Sequence, residues 1–207
     1  MPIDLAALVA PRHTALVTQE CQEGVIGEKS ALPALAEGVA RVGLIPHVAA
    51  LVAAAREAGV RVVHCTAERR PDGFGANRNA RLFAYMARAE RPLYPGSEAA
   101  TLVPGIGARP EDPVLTRWHG VSPFQGTELD WLLRNEGVTT IVGVGVSVNV
   151  AIPNLSFDAV NAGYQMVIPR DAVAGFPAEY VQMVFEHTLA ALATLTTTQA
   201  LLDVWRP

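Results

Sequence analysis

The sequence predicts an α/β fold, with a mostly parallel sheet of five or six strands covered by helices on both faces. Three observations carry that expectation. Short apolar runs alternate along the chain with stretches of helical spacing. Glycines stand between several of those helical stretches and the next run. The runs RVVHC, TTIVGVGV and YQMVI are nearly continuous in hydrophobicity, as strands buried on both faces require.

His13–Gln19 suits a central strand. Pro46–Ala58 follows as a helix presenting Val48, Leu51, Val52 and Ala55 on one face, with Gly59 to stop it. Arg61–Cys65 is the next strand, so strand, helix, glycine and strand form a βαβ unit. Glu68–Gly75 is a loop by composition, and Asn77–Ala89 suits a short helix with Leu82, Phe83 and Met86 on its apolar side. Pro92–Asp112, with its Pro-Gly pairs, reads as an excursion over the sheet edge because both flanks resume the same alternation. Pro113–Arg117 supplies a strand. Thr127–Asn135 supplies a helix, with Thr127 as its cap and Asp130 completing an imperfect capping box. Thr139–Val146, Ile152–Ala162 and Tyr164–Pro169 repeat strand, helix and strand. A last helix is expected over Ala178–Leu195, followed by an edge segment and Trp205. No period repeats, and a single domain over 1–207 is expected.

Half the residues are hydrophobic and 17% are charged, which excludes a disordered chain. So little charge fits a surface partly covered by another subunit, although a large core gives the same composition. A net charge of −4 without a basic tract argues against nucleic acid as the main partner. Two cysteines, Cys21 and Cys65, are too few for a disulfide framework and lack metal-site spacing. Cytoplasmic placement is therefore expected, with no signal peptide and no membrane span.

Thr139–Ile152, TTIVGVGVSVNVAI, is the most informative stretch: a buried strand ending in glycines that crosses into a helix. Ligands of open α/β sheets gather at such strand ends. GVGVSV lacks the third glycine of a dinucleotide fingerprint and does not follow the first strand, so nucleotide binding is rejected. The five histidines form no HxH or HxxxH set, and no metal or cofactor is expected. His64 suits a core or pocket-wall position. His119, beside a strand end, suits either ligand contact or structural hydrogen bonding.

From about Thr14 to Val204 the chain resembles the isochorismatase-like, or cysteine hydrolase, superfamily. The resemblance rests on ALVTQECQ, VVHCTAERRPDG, PGSEAATLVPGI and the long run from Val114 to Gly175. Within that run stand Ser122, Phe124, Gly126, Thr127 and Leu129, then Asp158, Ala159, Gly163, Tyr164 and Asp171. It implies a three-layer αβα, Rossmann-like architecture with a six-stranded sheet, and a homodimer or larger homo-oligomer. It also implies an Asp after the first strand, a Lys after the third and a Cys opening the helix after the fourth. Glu20, Arg117 and Ala151 occupy those positions here. A helix N-terminus and a nearby cation favour a thiolate, with the carboxylate exchanging its proton. Alanine can form no thioester.

Ser147, Cys21 and Ser156 are the remaining nucleophile candidates. Cys21 follows Glu20 directly and is expected to face away from it. Val146–Ser147 matches a cis bond that shapes the family's pocket. The resemblance also implies a route without a thiol, hydrolysis of a vinyl ether by acid assistance. Glu20 is the candidate acid there, although it reaches one methylene farther than Asp. Arg117 offers a planar fork suited to a substrate carboxylate or to an ion pair with Glu20, and the latter opposes the acid role. The pair is equally readable as a structural bridge closing an inherited pocket, with Ala151 as packing.

Gln22, His64, Trp118, His119, Val146, Ser147 and Phe124 complete the candidate pocket. Gln22 suits a loop-holding role, and Trp118 either a pocket wall or an interface. Arg69, Arg70, Phe74, Arg78 and Tyr94 are either a lid or a solvated loop. The leading reading is a divergent hydrolase acting without a cysteine on a small, anionic molecule. The second is an inactive member that binds a small ligand or serves as an assembly partner. Covalent hydrolysis through a relocated serine or cysteine ranks last.

Overall fold

The computed structural model describes residues 3–28 and 30–206. Seven strands form one sheet: β1 (Thr14–Gln19), β2 (Arg61–Ala67), β3 (Val114–Arg117), β4 (Thr140–Val146), β5 (Gln165–Pro169), β6 (Val173–Ala174) and β7 (Ala193–Thr196). The order is β3-β2-β1-β4-β5-β7, with the two-residue β6 pairing beside the end of β4. Every pairing is parallel. The chain enters at the centre, winds outward through β2 and β3, then crosses to β4 and winds the other way. The reversal lies between β1 and β4, both of which are buried along their whole length.

The helices are α1 (Leu5–Leu8), α2 (Glu23–Ile26), α3 (Pro33–Val42), α4 (Leu44–Ala58), α5 (Arg81–Met86), α6 (Leu129–Asn135), α7 (Ala151–Asn161), α8 (Ala178–Val184), α9 (Ala190–Leu192) and α10 (Thr198–Trp205). Strand alternation sorts them into two layers. Leu16, Val142 and Val144 pack with Leu35, Val48, Leu51 and Leu201 of α3, α4 and α10. Ala15, Val17 and Ile141 pack with Leu133, Ile152, Leu155 and Leu189 on the opposite face. The sandwich is the expected αβα arrangement, extended by the short β6.

Gly145, one residue before the end of β4, has no room for a side chain. It sits at φ +107°, and a Cβ there would lie 2.2 Å from the Gln19 carbonyl oxygen. The β1–β4 contact at the topological switch therefore depends on a bare backbone.

Several boundaries differ from the sequence reading. Helix α3, absent from that reading, starts at Pro33 and ends at Gly43 in the left-handed region, the usual proline-start and glycine-stop arrangement. The final helix does not run to Leu195. A π-helical turn over Phe185–Leu189 leads through α9 and gives way to β7, where two threonines favour the strand beside β5. α10 follows, capped by Thr197, and Trp205 donates to the Val9 carbonyl at 3.0 Å. Thr127 accepts from Leu129 N–H at 3.2 Å, but Asp130 does not close a capping box. It accepts from the Tyr164 hydroxyl at 2.9 Å and pairs with Arg134 instead. No single helix among the described residues is long and apolar enough to cross a membrane.

Candidate functional site

Four chain segments meet at the carboxyl ends of the central strands, where the strand order reverses. Glu20 follows β1, Glu68 and Arg69 follow β2, Arg117 ends β3, and Val146, Ser147 and Ala151 connect β4 to α7. These residues line a cavity of about 160 Å³, walled mainly by apolar side chains such as Leu35, Met86 and Leu93.

Glu20 adopts φ +52°, an unusual conformation for a residue with a side chain. Its N–H donates to the Cys65 carbonyl at 2.8 Å, which fixes the turn at the end of β1. Its Oε1 accepts from Arg117 Nη2 at 2.7 Å and from Gln19 Nε2 at 3.0 Å, whereas Oε2 accepts no hydrogen bond among the described residues. Arg117 Nε donates to the Gly120 carbonyl at 3.2 Å, and buried Nη1 has no partner. The two side chains are only 5% and 14% exposed, for Arg117 and Glu20 respectively, so water screens the pair weakly.

Ala151 is the first residue of α7 and is buried against the cavity. No lining residue is a cysteine. Cys21 and Cys65 are both buried, and burial pushes each thiol up to about 12. Glu20 adds to the effect at Cys21, while Arg117 partly offsets it at Cys65. Neither can present a thiolate near neutral pH. Ser156 is buried and donates to the Ile152 carbonyl at 2.8 Å within its own helix. Ser147 is therefore the one sequence-level nucleophile candidate that lines the cavity, and the Val146–Ser147 bond is cis.

Three of the expected pocket residues lie elsewhere. Gln22 is a buried staple: its Nε2 donates to the Ala67 and Ala100 carbonyls at 2.9 and 2.8 Å, and its Oε1 accepts from Ala67 N–H at 2.8 Å. Phe124 packs on Tyr164, with ring centroids 6.0 Å apart. His64 lies within β2, Nδ1 2.8 Å from Thr18 Oγ1 and Nε2 3.3 Å from Asp112 Oδ2. Hydroxyl, imidazole and carboxylate in that order resemble a catalytic relay, yet none of the three lines the cavity. Burial holds the His64 imidazole below its ordinary value, with Asp112 opposing the shift.

Trp118 and His119 line a second cavity of about 420 Å³ outside the first. Ala67, Glu68, Arg69, Met86 and Arg117 border both, so the two adjoin. Glu68, which the sequence marks only as the start of a loop, is a lining residue that its place one residue past a central strand could have signalled. Its carboxyl is pushed up by burial. Among the described residues no three His, Cys, Asp or Glu side chains cluster to hold a metal ion.

The chain is 30% identical over 106 residues to an uncharacterized isochorismatase family protein, YwoC, of Bacillus subtilis, a match covering 50% of this chain and 54% of that protein. It is 32% identical over 148 residues to a ureidoacrylate amidohydrolase of Methylorubrum extorquens, covering 65% and 59%. The chain thus spans about half the length of the first curated relatives it matches. A cysteine hydrolase from Pseudomonas syringae pv. phaseolicola superposes with a TM-score of 0.82 at 22% identity, over 96% of this chain and 94% of that one, and shares the fold. The model of the isochorismatase domain matches residues 14–200, and the chain belongs to the isochorismatase family.

Proposed function

We propose that the inner cavity hydrolyses a small carboxylate-bearing molecule by proton transfer at Glu20, without a covalent thiol step. The observation that carries this reading is an open cavity at the sheet's switch point, lined by a carboxylate–guanidinium pair and by no cysteine. Glu20 Oε1 is committed to two donors, which leaves Oε2 to take a proton from the attacking water and return it to the leaving group. Arg117, whose Nη1 lacks an acceptor, supplies the cation for the substrate carboxylate. The name of the Methylorubrum relative, an amidohydrolase of ureidoacrylate, is consistent with an anionic substrate bearing an amide.

The test is turnover of small carboxylate-bearing amides and enol ethers by wild type and Glu20→Gln. The variant is expected to lose about 10²–10⁴-fold in kcat/KM, the range of a positioned acid or base. Equal rates in the two proteins end the proposal. A second reading, a ligand-binding member without turnover, is favoured by the tight Glu20–Arg117 contact and by Ala151 at the helix start. Saturable binding of those compounds without turnover in wild type would select it.

A further inference from the structure

The outer cavity carries a charge pattern that the proposed reaction does not use. Arg69, Arg78 and Arg88 line it together with His119, and none of the three arginines has an acidic partner among the described residues. Gly73 shows that two of them converge: a Cβ on that residue would lie 3.4 Å from Arg69 Nη2 and 3.9 Å from Arg78 Nη2. The nearby carboxylate of Asp72 is not their counter-ion, because it is held by Arg70 at 2.7 and 3.0 Å and accepts from Phe74 N–H. The loop is also anchored over the cavity, since Asn77 Oδ1 accepts from Gly120 N–H at 2.8 Å. Glu68 is the one carboxylate lining this space, against three arginines beyond the already paired Arg117. The like charges of Arg69 and Arg78, held close together, repel, and an oxyanion in the space that Arg88 also lines relieves that repulsion.

Size points the same way. The inner cavity, at about 160 Å³, is smaller than the ~300–1,000 Å³ usual for a small-molecule site, whereas the adjoining space of about 420 Å³ falls inside that range. We propose that the outer cavity is an oxyanion subsite in which Arg69, Arg78 and Arg88 hold a phosphate or second carboxylate at the far end of a ligand spanning both cavities. This deepens the reading above, on which it rests only for the reacting end occupying the inner cavity. The ligand is then at least a dianion, with its reacting end beside Glu20 and its remote charge held in the outer cavity by Arg69, Arg78 and Arg88.

Calorimetric titration of the full chain with inorganic phosphate and, separately, with succinate tests the subsite without turnover. Wild type is expected to bind at least one probe, more weakly as salt is raised. A preference for phosphate or for succinate identifies the head group. Arg69→Gln/Arg78→Gln is expected to weaken binding by about tenfold or more for each guanidinium removed. Arg78→Gln alone, at an exposed position, serves if the double variant does not fold. Arg12→Gln, at the opposite end of the sheet, is expected to bind as wild type does. Glu20→Gln is expected to keep phosphate binding while losing turnover, so failure of the catalytic reading and failure of the subsite are separable. Absence of binding by wild type to both probes, or equal binding by the arginine variants, overturns the proposal.

Discussion

Replacing Arg117 by methionine isolates the interaction on which the site is built. Methionine keeps the unbranched stem and deletes the guanidinium, so the change removes the 2.7 Å contact to Glu20 and the 3.2 Å bond to the Gly120 carbonyl. Breaking a buried ion pair from one side costs about 3–5 kcal/mol. Glu20 keeps its bond from Gln19 and is 14% exposed, which places the loss near the lower end, about 3 kcal/mol. For a chain of this length that corresponds to a fall of roughly 6–12 °C in Tm. The assay is urea unfolding followed by far-UV circular dichroism, on Arg117→Met, Glu20→Leu and the double variant. The double variant is expected to recover much of the loss, because two apolar side chains leave no orphaned charge. A loss below about 1 kcal/mol in Arg117→Met, the scale of an exposed pair, or strict additivity in the double variant, refutes the coupling.

Other parts of the molecule answer to separate measurements. His64 is held below its ordinary value near 6.5, so the unfolded chain takes up its proton first as pH falls. Its contribution is complete above pH ~6.5 and is lost below it, by up to about 1.4 kcal/mol per pH unit, down to the folded value. Stability curves of wild type and His64→Asn should differ in slope below pH 6.5, and parallel slopes contradict the assignment. Cys21 and Cys65, both pushed up to about 12 by burial, should resist a thiol reagent at pH 8 until the protein is unfolded. Rapid labelling of the native chain would refute their burial. Gln22→Leu removes three hydrogen bonds that tie the β1 loop to Ala67 and Ala100. At ~1 kcal/mol each, a loss of about 3 kcal/mol in urea unfolding is expected, and a change below about 1 kcal/mol would show that the staple is dispensable.

The sheet was legible because β2 and β4 hold nearly continuous apolar runs separated by helical spacing, and the glycine-bearing end of β4 announced the switch point. Glu20, Arg117 and Ala151 were placed by resemblance, and they meet because three crossovers bring three distant strand ends together. Of the two positions that the sequence leaves open for His64, core or pocket wall, the structure shows the core, because a polar residue in a buried strand signals a partner without saying which; its partners are Thr18 and Asp112, more than forty residues away in either direction. Phe124 likewise reads as a pocket aromatic, and only the packing of Tyr164 beneath it shows a core role. The C-terminal segment failed for a local reason: Ala193–Thr196 continues an apolar helical pattern, and pairing with β5 turns it into a strand. The convergence of Arg69 and Arg78 about Gly73 was beyond reach, since loop composition does not fix where long side chains end.

Intact-mass measurement during turnover of a carboxylate-bearing amide addresses the absence of a covalent step most directly. Product should accumulate over many turnovers while the mass of the protein stays that of the free chain, and product formation should fall in Glu20→Gln. A transient adduct that maps to Ser147, Cys21 or Cys65 would contradict the account.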